Sequence, residues 1–251
     1  MKIQIKNDCY VAGDIHGETK IFTDMLSYYN IKDCTVILLG DIGIWRYRDY
    51  KHYLKIDEYG KDNNVIFYAI RGNHDNPVFF KAPGSRSAII ERFWNKFTNF
   101  KVLPDLTQIE VDNSIGIVIG GGVSIDRCLR RSFQSLGRNN GNVYKSNDWW
   151  ADETVPNTDN INEKYDFILS HTGPRPVKLL PLNESNCSFF TLDQGLKDSI
   201  LEETKRIEEI RAQFNPKKWW FGHYHINDSF DFYDTRCYAI DINYISPLKV
   251  N

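Results

Sequence analysis

Three apolar runs, each ending in a glycine and a polar cluster, constrain the fold of this chain more than any other feature. The runs and the clusters that follow them are 10–12 with Gly-Asp-Ile-His-Gly at 13–17, 35–39 with Gly-Asp at 40–41, and 65–70 with Arg-Gly-Asn-His-Asp at 71–75. Short, continuous apolar runs of this kind predict buried strands. Apolar residues at helical spacing in 21–29, and a predicted helix over 50–61, separate them. Strands alternating with helices predict a parallel sheet, so the three clusters should meet at one sheet edge.

The second half of the chain predicts a second sheet. Residues 109–111 and 115–119 read as a hairpin around Asp112-Asn113-Ser114. Further strands are expected at 165–169, 218–221, 228–233 and 236–242. Helices are expected at 89–97 and at about 192–214, the latter stopped by Pro216. The core should therefore be a β-sandwich with helices outside.

The segment from about 120 to 160 interrupts this pattern. It is rich in Gly, Asn, Ser and charged residues, with little periodicity. We interpret it as an irregular excursion over the mouth of the site. The whole chain, 1–251, is expected to be a single domain, because the candidate ligands are spread along it.

Composition excludes several classes of protein. A hydrophobic share of 41%, with 14% aromatic residues, argues against disorder, and a formal net charge of −2 gives no overall basic field for nonspecific DNA binding. The five cysteines are scattered without a Cys-x-x-Cys pair, as is typical of reduced thiols in the cytosol. The start of the chain lacks the apolar region of a signal peptide, and no apolar stretch is long enough to span a bilayer. We therefore expect a cytoplasmic protein that does not interact with membranes.

The histidines are sorted into the polar clusters. Two more clusters, Ser-His-Thr-Gly-Pro at 170–174 and Gly-His-Tyr-His at 222–225, follow predicted strands, and five of the six histidines lie in the clusters, His52 being the exception. Imidazole, carboxylate and amide donors together suit borderline divalent metals such as Mn, Fe, Zn, Co or Ni. The candidate ligands are Asp14, His16, Asp41, Asn73, His171, His223 and His225. Seven donors are too many for one ion, whereas two ions about 3.5 to 4 Å apart can share a carboxylate. Taken alone, each turn residue could instead be a helix cap.

The five clusters, in this order, resemble those of the calcineurin-like metallophosphoesterase superfamily, and the resemblance runs from residue 13 to residue 225. It implies a four-layer α/β/β/α sandwich of two mixed sheets flanked by helices. It also implies a dinuclear centre in which the first metal is held by Asp14, His16 and His225, the second by Asn73, His171 and His223, and Asp41 bridges both.

The resemblance assigns roles to the residues around Asn73. His74 would donate a proton to the leaving oxygen or hydrogen-bond the phosphate, with Asp75 as its orienting partner. Arg71 would bind phosphate; the alternative for an arginine at this position is a structural ion pair. The segment 120–127, with Trp149, Trp150 and Glu153, resembles part of some uncharacterised bacterial and phage metallophosphoesterases. Its arginines are candidates to contact a polyanionic substrate or to form structural pairs within a solvated loop: Arg127, Arg130, Arg131 and Arg138.

Three functions follow as hypotheses. The first is a phosphatase that cleaves phosphomonoesters by in-line attack of a metal-bridging hydroxide. The second is a phosphodiesterase or nuclease with the same centre, nucleic acid then being its substrate. The third is a binding module that has lost its metals; its signature would be missing ligands, and none is missing. Gly40-Asp41 is followed by Ile-Gly-Ile-Trp-Arg rather than the x-Val-Asp-Arg-Gly of Ser/Thr protein phosphatases, which argues against that activity.

Overall fold

Two mixed β-sheets pack face to face, and helices cover their outer faces. The computed structural model describes residues 1–46, 50–135, 149–185 and 187–250, so Arg138 lies outside the described residues. The strands are β1 (Lys2–Ile5), β2 (Cys9–Ala12), β3 (Thr35–Leu38), β4 (Ile66–Ala69), β5 (Phe100–Val102), β6 (Gln108–Val111), β7 (Ser114–Ile119), β8 (Phe167–Ser170), β9 (Lys218–Phe221), β10 (Asp228–Phe232), β11 (Thr235–Ala239) and β12 (Ile245–Pro247). The helices are α1 (Thr19–Tyr28), α2 (Tyr50–Asn63), α3 (Ala88–Trp94), α4 (Arg127–Ser135), α5 (Phe189–Leu192) and α6 (Leu196–Phe214).

The five-stranded sheet has the order β12-β2-β3-β4-β5. Strands β2, β3 and β4 are parallel, and their register pairs Ala12 with Leu38 and Leu38 with Ala69. The three strands therefore end at the same level. This confirms that the polar clusters after them share one edge of the sheet.

The seven-stranded sheet has the order β1-β6-β7-β8-β9-β11-β10. Strands β6 and β7 form the predicted hairpin, with Asp112 and Asn113 at φ 49° and 65° in its turn. Strands β7, β8 and β9 are parallel neighbours, with Ile119 paired to Ser170 and Leu169 to Trp220. The clusters after β8 and β9 are thereby brought to the same end of the sandwich.

Alternating side chains produce three buried layers between four layers of structure. Val36 and Leu38 of β3 pack with α1, α2 and α3 on the outside, while Ile37 and Leu39 pack in the layer between the sheets. The opposite face of the seven-stranded sheet packs against Ile207, Ile210 and Phe214 of α6. The expected α/β/β/α sandwich of two mixed sheets is confirmed. None of the helices in the described ranges is long and apolar enough to cross a bilayer.

The segment 120–160 is more regular than expected. It contains α4, whose one buried residue is Arg130. Its apolar residues Cys128, Leu129 and Phe133 fall at helical spacing, but none of them is buried, and no helix is predicted here from the sequence. Ion pairs between α4 and its neighbours take the place of an apolar face.

Candidate metal centre

The first group of candidate ligands comes from the ends of β2 and β9. The Nε2 atom of His225 lies 3.0 Å from Oδ2 of Asp14, and Nε2 of His16 lies 3.2 Å from Nε2 of His225 and 3.7 Å from the same aspartate oxygen. The three donor atoms all lie within 4.8 Å of one another. A single cation could contact all three.

The second group comes from the ends of β4, β8 and β9. The side-chain oxygen of Asn73 lies 2.7 Å from Nε2 of His171 and 3.1 Å from Nδ1 of His223. Nδ1 of His171 donates to the carbonyl of Leu39 at 2.8 Å, so the lone pair of this imidazole is on Nε2, facing Asn73. The second group therefore also presents its donor atoms to a common point.

Asp41 lies between the two groups. Its Oδ1 is 3.4 Å from Nε2 of His171, whereas its Oδ2 is 4.0 Å from Nε2 of His16. The backbone N–H of His74 donates to Oδ1 at 2.8 Å and fixes the carboxylate plane. Each carboxylate oxygen thus faces a different group, as a bridging ligand requires.

The chemistry of these donors fits a pair of divalent cations. Asp14 and Asp41 are both buried carboxylates, and burial alone would raise the pKa of each. Hydrogen bonding from His225 lowers the pKa of Asp14, and the neighbouring histidines lower that of Asp41, so that both lie below their usual range. Two ionised carboxylates, imidazole nitrogens and an amide oxygen, without a thiolate, suit Mn, Fe or Zn.

Four of the candidate ligands have left-handed backbone conformations. His16, Asp41, His223 and His225 have φ of 44°, 47°, 67° and 51°. Such conformations cost non-glycine residues energy and are concentrated at functional sites. These conformations turn His223 toward Asn73 and His225 toward Asp14, so two histidines that are two residues apart in sequence face different groups of candidate ligands.

Two glycines are required by close approach. Gly40 has φ 101°, and a Cβ there would lie 2.3 Å from the ring of His171. A Cβ at Gly72 would lie 2.0 Å from Oδ1 of Asp41. Side chains at either position would displace a ligand of the centre.

Asp75 does not orient His74, so this expectation is corrected. Its carboxylate accepts hydrogen bonds from the backbone N–H groups of Ile42, Gly43, Ile44 and Gly72 at 2.7 to 3.2 Å. Burial raises its pKa to about 6, and the charge of Asp41 contributes to this rise. Asp75 therefore joins the turns after β3 and β4, and its effect on the centre passes through the backbone.

Arg71 does not face the centre either. Its guanidinium is 2.9 Å from Asp105 and donates to the carbonyls of Asp152, Glu153 and Thr154 at 2.9 to 3.2 Å. The residue is only 4% exposed. The structure thus gives Arg71 the structural ion pair, not the phosphate contact, because its donors are directed away from the ligands.

Arg127 and Arg131 are likewise engaged elsewhere. Arg127 lies 2.7 Å from Asp193 and also donates to Ser199, while Arg131 pairs with the same aspartate and stacks on Trp149. These pairs hold α4 against the start of α6. The structure places neither guanidinium among the candidate metal ligands.

Of the three candidate arginines of α4 that the structure describes, Arg130 is the one that contacts His74. Its Nε lies 2.9 Å from both carboxylate oxygens of Asp126, and its Nη2 contacts Nδ1 of His74 and lies 3.1 Å from Nε2 of the same ring. A guanidinium only donates, so His74 must offer it a lone pair. Burial lowers the pKa of His74 to about 4; Asp41 opposes this and Arg130 adds to it. The sequence named Arg130 only as one of four candidate arginines.

Ser124 and Glu153 form a connection that sequence reasoning missed. The amide nitrogen of Asn73 donates to Oγ of Ser124 at 2.8 Å, and Ser124 donates to Glu153 at 2.7 Å. All three side chains are buried. The chain of bonds fixes the Asn73 amide with its oxygen toward the histidines. The signal in the sequence was the resemblance of residues 120–127 and Glu153 to part of some metallophosphoesterases, which gave neither residue a role.

Comparisons with solved structures bear on this architecture. TT1561 of Thermus thermophilus is 8% identical, with a TM-score of 0.48, covering 98% of this chain and 99% of that one. The phosphopantetheinyl hydrolase PptH of Mycobacterium tuberculosis is 11% identical, with a TM-score of 0.47, covering 96% and 92%. A further solved structure, 10% identical, aligns with a TM-score of 0.50 over 94% of this chain and 91% of its own, and shares the fold.

Sequence comparison identifies the family. No curated protein matches the chain at a significant level. A profile of the calcineurin-like phosphoesterases, however, matches residues 9–227, which contain all five polar clusters. Because the match covers most of its length, this chain belongs to the calcineurin-like phosphoesterase family.

Proposed function

We propose that this chain is a metal-dependent phosphatase that hydrolyses phosphomonoesters at a dinuclear centre. The observation that carries the proposal is the position of Asp41, whose two oxygens face separate groups of ligands. Asp14, His16 and His225 would hold one metal, and Asn73, His171 and His223 the other. Mn, Fe or Zn are the ions that these donors suit best.

The metals would supply the central chemistry when bound: they activate water at neutral pH and offset the charge of the phosphate. The protein supplies the remaining contacts. His74 is proposed to donate a hydrogen bond from its ring to the phosphate or the leaving oxygen. Arg130 is proposed to hold the His74 ring in position, a role that the sequence had suggested for Asp75.

The ion pairs formed by the arginines favour a phosphomonoester over nucleic acid as the substrate. A nuclease needs cations free to contact successive phosphates. Arg127 and Arg131 share Asp193, Arg130 pairs with Asp126, and Arg71 pairs with Asp105. Each of these positive charges therefore already has a carboxylate partner, which weakens the phosphodiesterase alternative.

The test combines metal content with turnover. Purified wild-type protein, loaded with Mn²⁺, should contain two metal ions per chain and should hydrolyse p-nitrophenyl phosphate faster than bis-p-nitrophenyl phosphate or single-stranded DNA. Removal of metal with a chelator should abolish turnover. Asp41→Ala should reduce the metal content and lower kcat/KM on the order of 10³-fold.

His52→Ala is the matched control, because His52 is the histidine of α2 and lies outside the five clusters. It should retain both metals and wild-type turnover. Full turnover in Asp41→Ala, or a wild-type preference for the diester, would refute the proposal.

A further inference from the structure

A cavity of about 540 Å³ opens directly from the candidate metal centre. One side of it is formed by residues of the centre, among them Asp41, His74 and His223. A cavity of this size can enclose a small organic molecule. Since a substrate phosphate must lie on the ligand side, the rest of the cavity is the space left for the group that the phosphate esterifies.

Apart from the candidate ligands, the lining of the cavity is mainly apolar. Its apolar residues are Val123, Ile125, Leu182, Phe189 and Ile200. These residues come from three separate parts of the chain: the segment after β7, the loop before α5 with α5 itself, and α6. Apolar surface of this kind favours an apolar occupant, because burial of both surfaces removes them from water.

Charged groups in the cavity are few and mostly engaged. Among the lining residues that the structure describes, Arg175 is the one lysine or arginine, and it is exposed. Asp126 is occupied by Arg130 at 2.9 Å. Tyr224 donates its hydroxyl to the carbonyl of Gly173 at 2.9 Å, so it presents its ring rather than a free donor. A second anionic group on the substrate would find little positive charge here.

Glu203 is the exception among the polar lining residues. One of its carboxylate oxygens accepts the backbone N–H of Val123 at 2.7 Å. A carboxylate has about four acceptor positions, so one such bond leaves capacity for a ligand. Burial raises the pKa of Glu203 to about 7, which reduces its negative charge near neutral pH. It can therefore receive a neutral donor without attracting a cation strongly.

We propose that this cavity binds the alcohol part of the substrate, and that this alcohol is uncharged, largely apolar and equipped with a hydrogen-bond donor that Glu203 accepts. The proposal rests on the proposed function, since it concerns the leaving group of the same reaction. It defines the substrate class as phosphomonoesters of compact apolar alcohols, as opposed to polyphosphates or oligonucleotides.

The first test is a series of ethyl, butyl and hexyl phosphates. Their alcohols have similar acidity, so differences in rate report binding of the chain and not intrinsic reactivity. We expect kcat/KM to rise about tenfold or more from ethyl to butyl phosphate. The corresponding alkylphosphonates, which are not hydrolysed, should inhibit more strongly as the chain lengthens, which gives a readout independent of turnover.

Substitutions on α6 test whether the apolar lining of the cavity causes the dependence of kcat/KM on chain length. Ile200→Asp should remove the dependence on chain length, and the milder Ile200→Ala should reduce it. Leu201→Asp is the matched control: Leu201 is the next residue of the same helix and is 58% exposed. It should keep the wild-type dependence. A dependence that survives in both Ile200 variants would overturn the proposal.

The role of Glu203 is tested by comparing each alkyl phosphate with the equivalent carrying a terminal hydroxyl group. At one chain length, the wild type should hydrolyse the hydroxyalkyl phosphate with nearly the same kcat/KM as the alkyl phosphate. Glu203→Leu should reduce kcat/KM for that hydroxyalkyl phosphate about tenfold relative to the alkyl phosphate, while Glu203→Gln, which keeps an acceptor, should not. An identical ratio in wild type and Glu203→Leu at every length would refute this role.

The two proposals fail in different ways. Hydrolysis of ethyl, butyl and hexyl phosphates at equal kcat/KM would overturn the cavity assignment and leave the phosphatase intact. Absence of hydrolysis of every monoester by protein that contains two metals would overturn the proposed function and this inference with it.

Discussion

The turns after β2, β3 and β4 and the segment 120–160 meet at the same centre, but different interactions hold them. The turns are joined through the backbone: His16 N–H donates to the Asp41 carbonyl at 2.8 Å, and four N–H groups donate to Asp75. The segment is held mainly through side chains: Arg71 donates to the carbonyls of Asp152, Glu153 and Thr154, Asn73 donates to Ser124, and Arg127 pairs with Asp193.

The turns and the segment have different roles in the candidate centre. The turns carry the candidate ligands Asp14, His16, Asp41 and Asn73, and four of the hydrogen bonds that join these turns converge on the buried carboxylate of Asp75. The segment carries residues that contact the ligands from outside, such as Ser124, and single substitutions can alter it without moving the strands. Stability should therefore depend most on the turns, and catalytic tuning on the segment.

Asp75→Ala should show the largest effect. It removes the acceptor of four buried N–H groups, and leaving them unpaired should lower the free energy of unfolding by about 4 kcal/mol. Urea unfolding with a chelator present would measure this, with the exposed Asp62→Ala of α2 as control. If Asp75→Asn kept wild-type stability but slowed turnover, the original assignment of Asp75 to His74 would be restored.

Arg71→Gln should have the next largest effect. It removes the guanidinium from Asp105 and from the carbonyls of Asp152 to Thr154, so the free energy of unfolding should fall by about 3 kcal/mol. The inhibition constant for inorganic phosphate should change little, because the guanidinium is directed away from the centre. A tenfold rise of that constant with unchanged stability would show that Arg71 binds phosphate after all.

Arg130→Gln should affect turnover more than stability. Loss of the contact with His74 should lower kcat by about 10- to 100-fold, the range typical of residues that position a functional group, with a smaller change in KM. Arg130→Lys should recover part of this loss. Arg131→Gln, on the same helix but paired with Asp193, is the control. A raised KM with unchanged kcat would instead indicate that Arg130 binds the phosphate itself.

Glu203→Gln should change the free energy of unfolding by an amount that depends on pH. Burial raises the pKa of Glu203 from an ordinary 4.5 to about 7, so its protonated form is favoured by folding. That contribution is complete below pH 4.5 and is lost as the pH rises through 7. The glutamine variant should therefore match the wild type near pH 4.5 and be more stable at pH 8, by about 3 kcal/mol. Unfolding curves at both pH values measure the difference in free energy of unfolding between the variant and the wild type. If that difference is the same at pH 4.5 and pH 8, the raised pKa of Glu203 is contradicted.

The layers and the family could be predicted from the sequence because both are recorded in local patterns. Runs such as 35–39 alternate between two buried faces, and a strand with two buried faces requires a layer on each side. The residue types and their spacing at 13–17, 71–75 and 222–225 were enough to indicate the family. These patterns can be recognised without knowing how far apart remote residues lie in the folded chain.

The partners of the long and acidic side chains were decided only by the tertiary structure. Arg71, Arg127 and Arg130 have the same chemistry, yet one pairs with Asp105, one with Asp193, and one reaches His74. Asp75, next to His74 in sequence, bonds the backbone instead. An arginine or a carboxylate takes whichever partner packing brings within about 3 Å, and no sequence pattern records that distance.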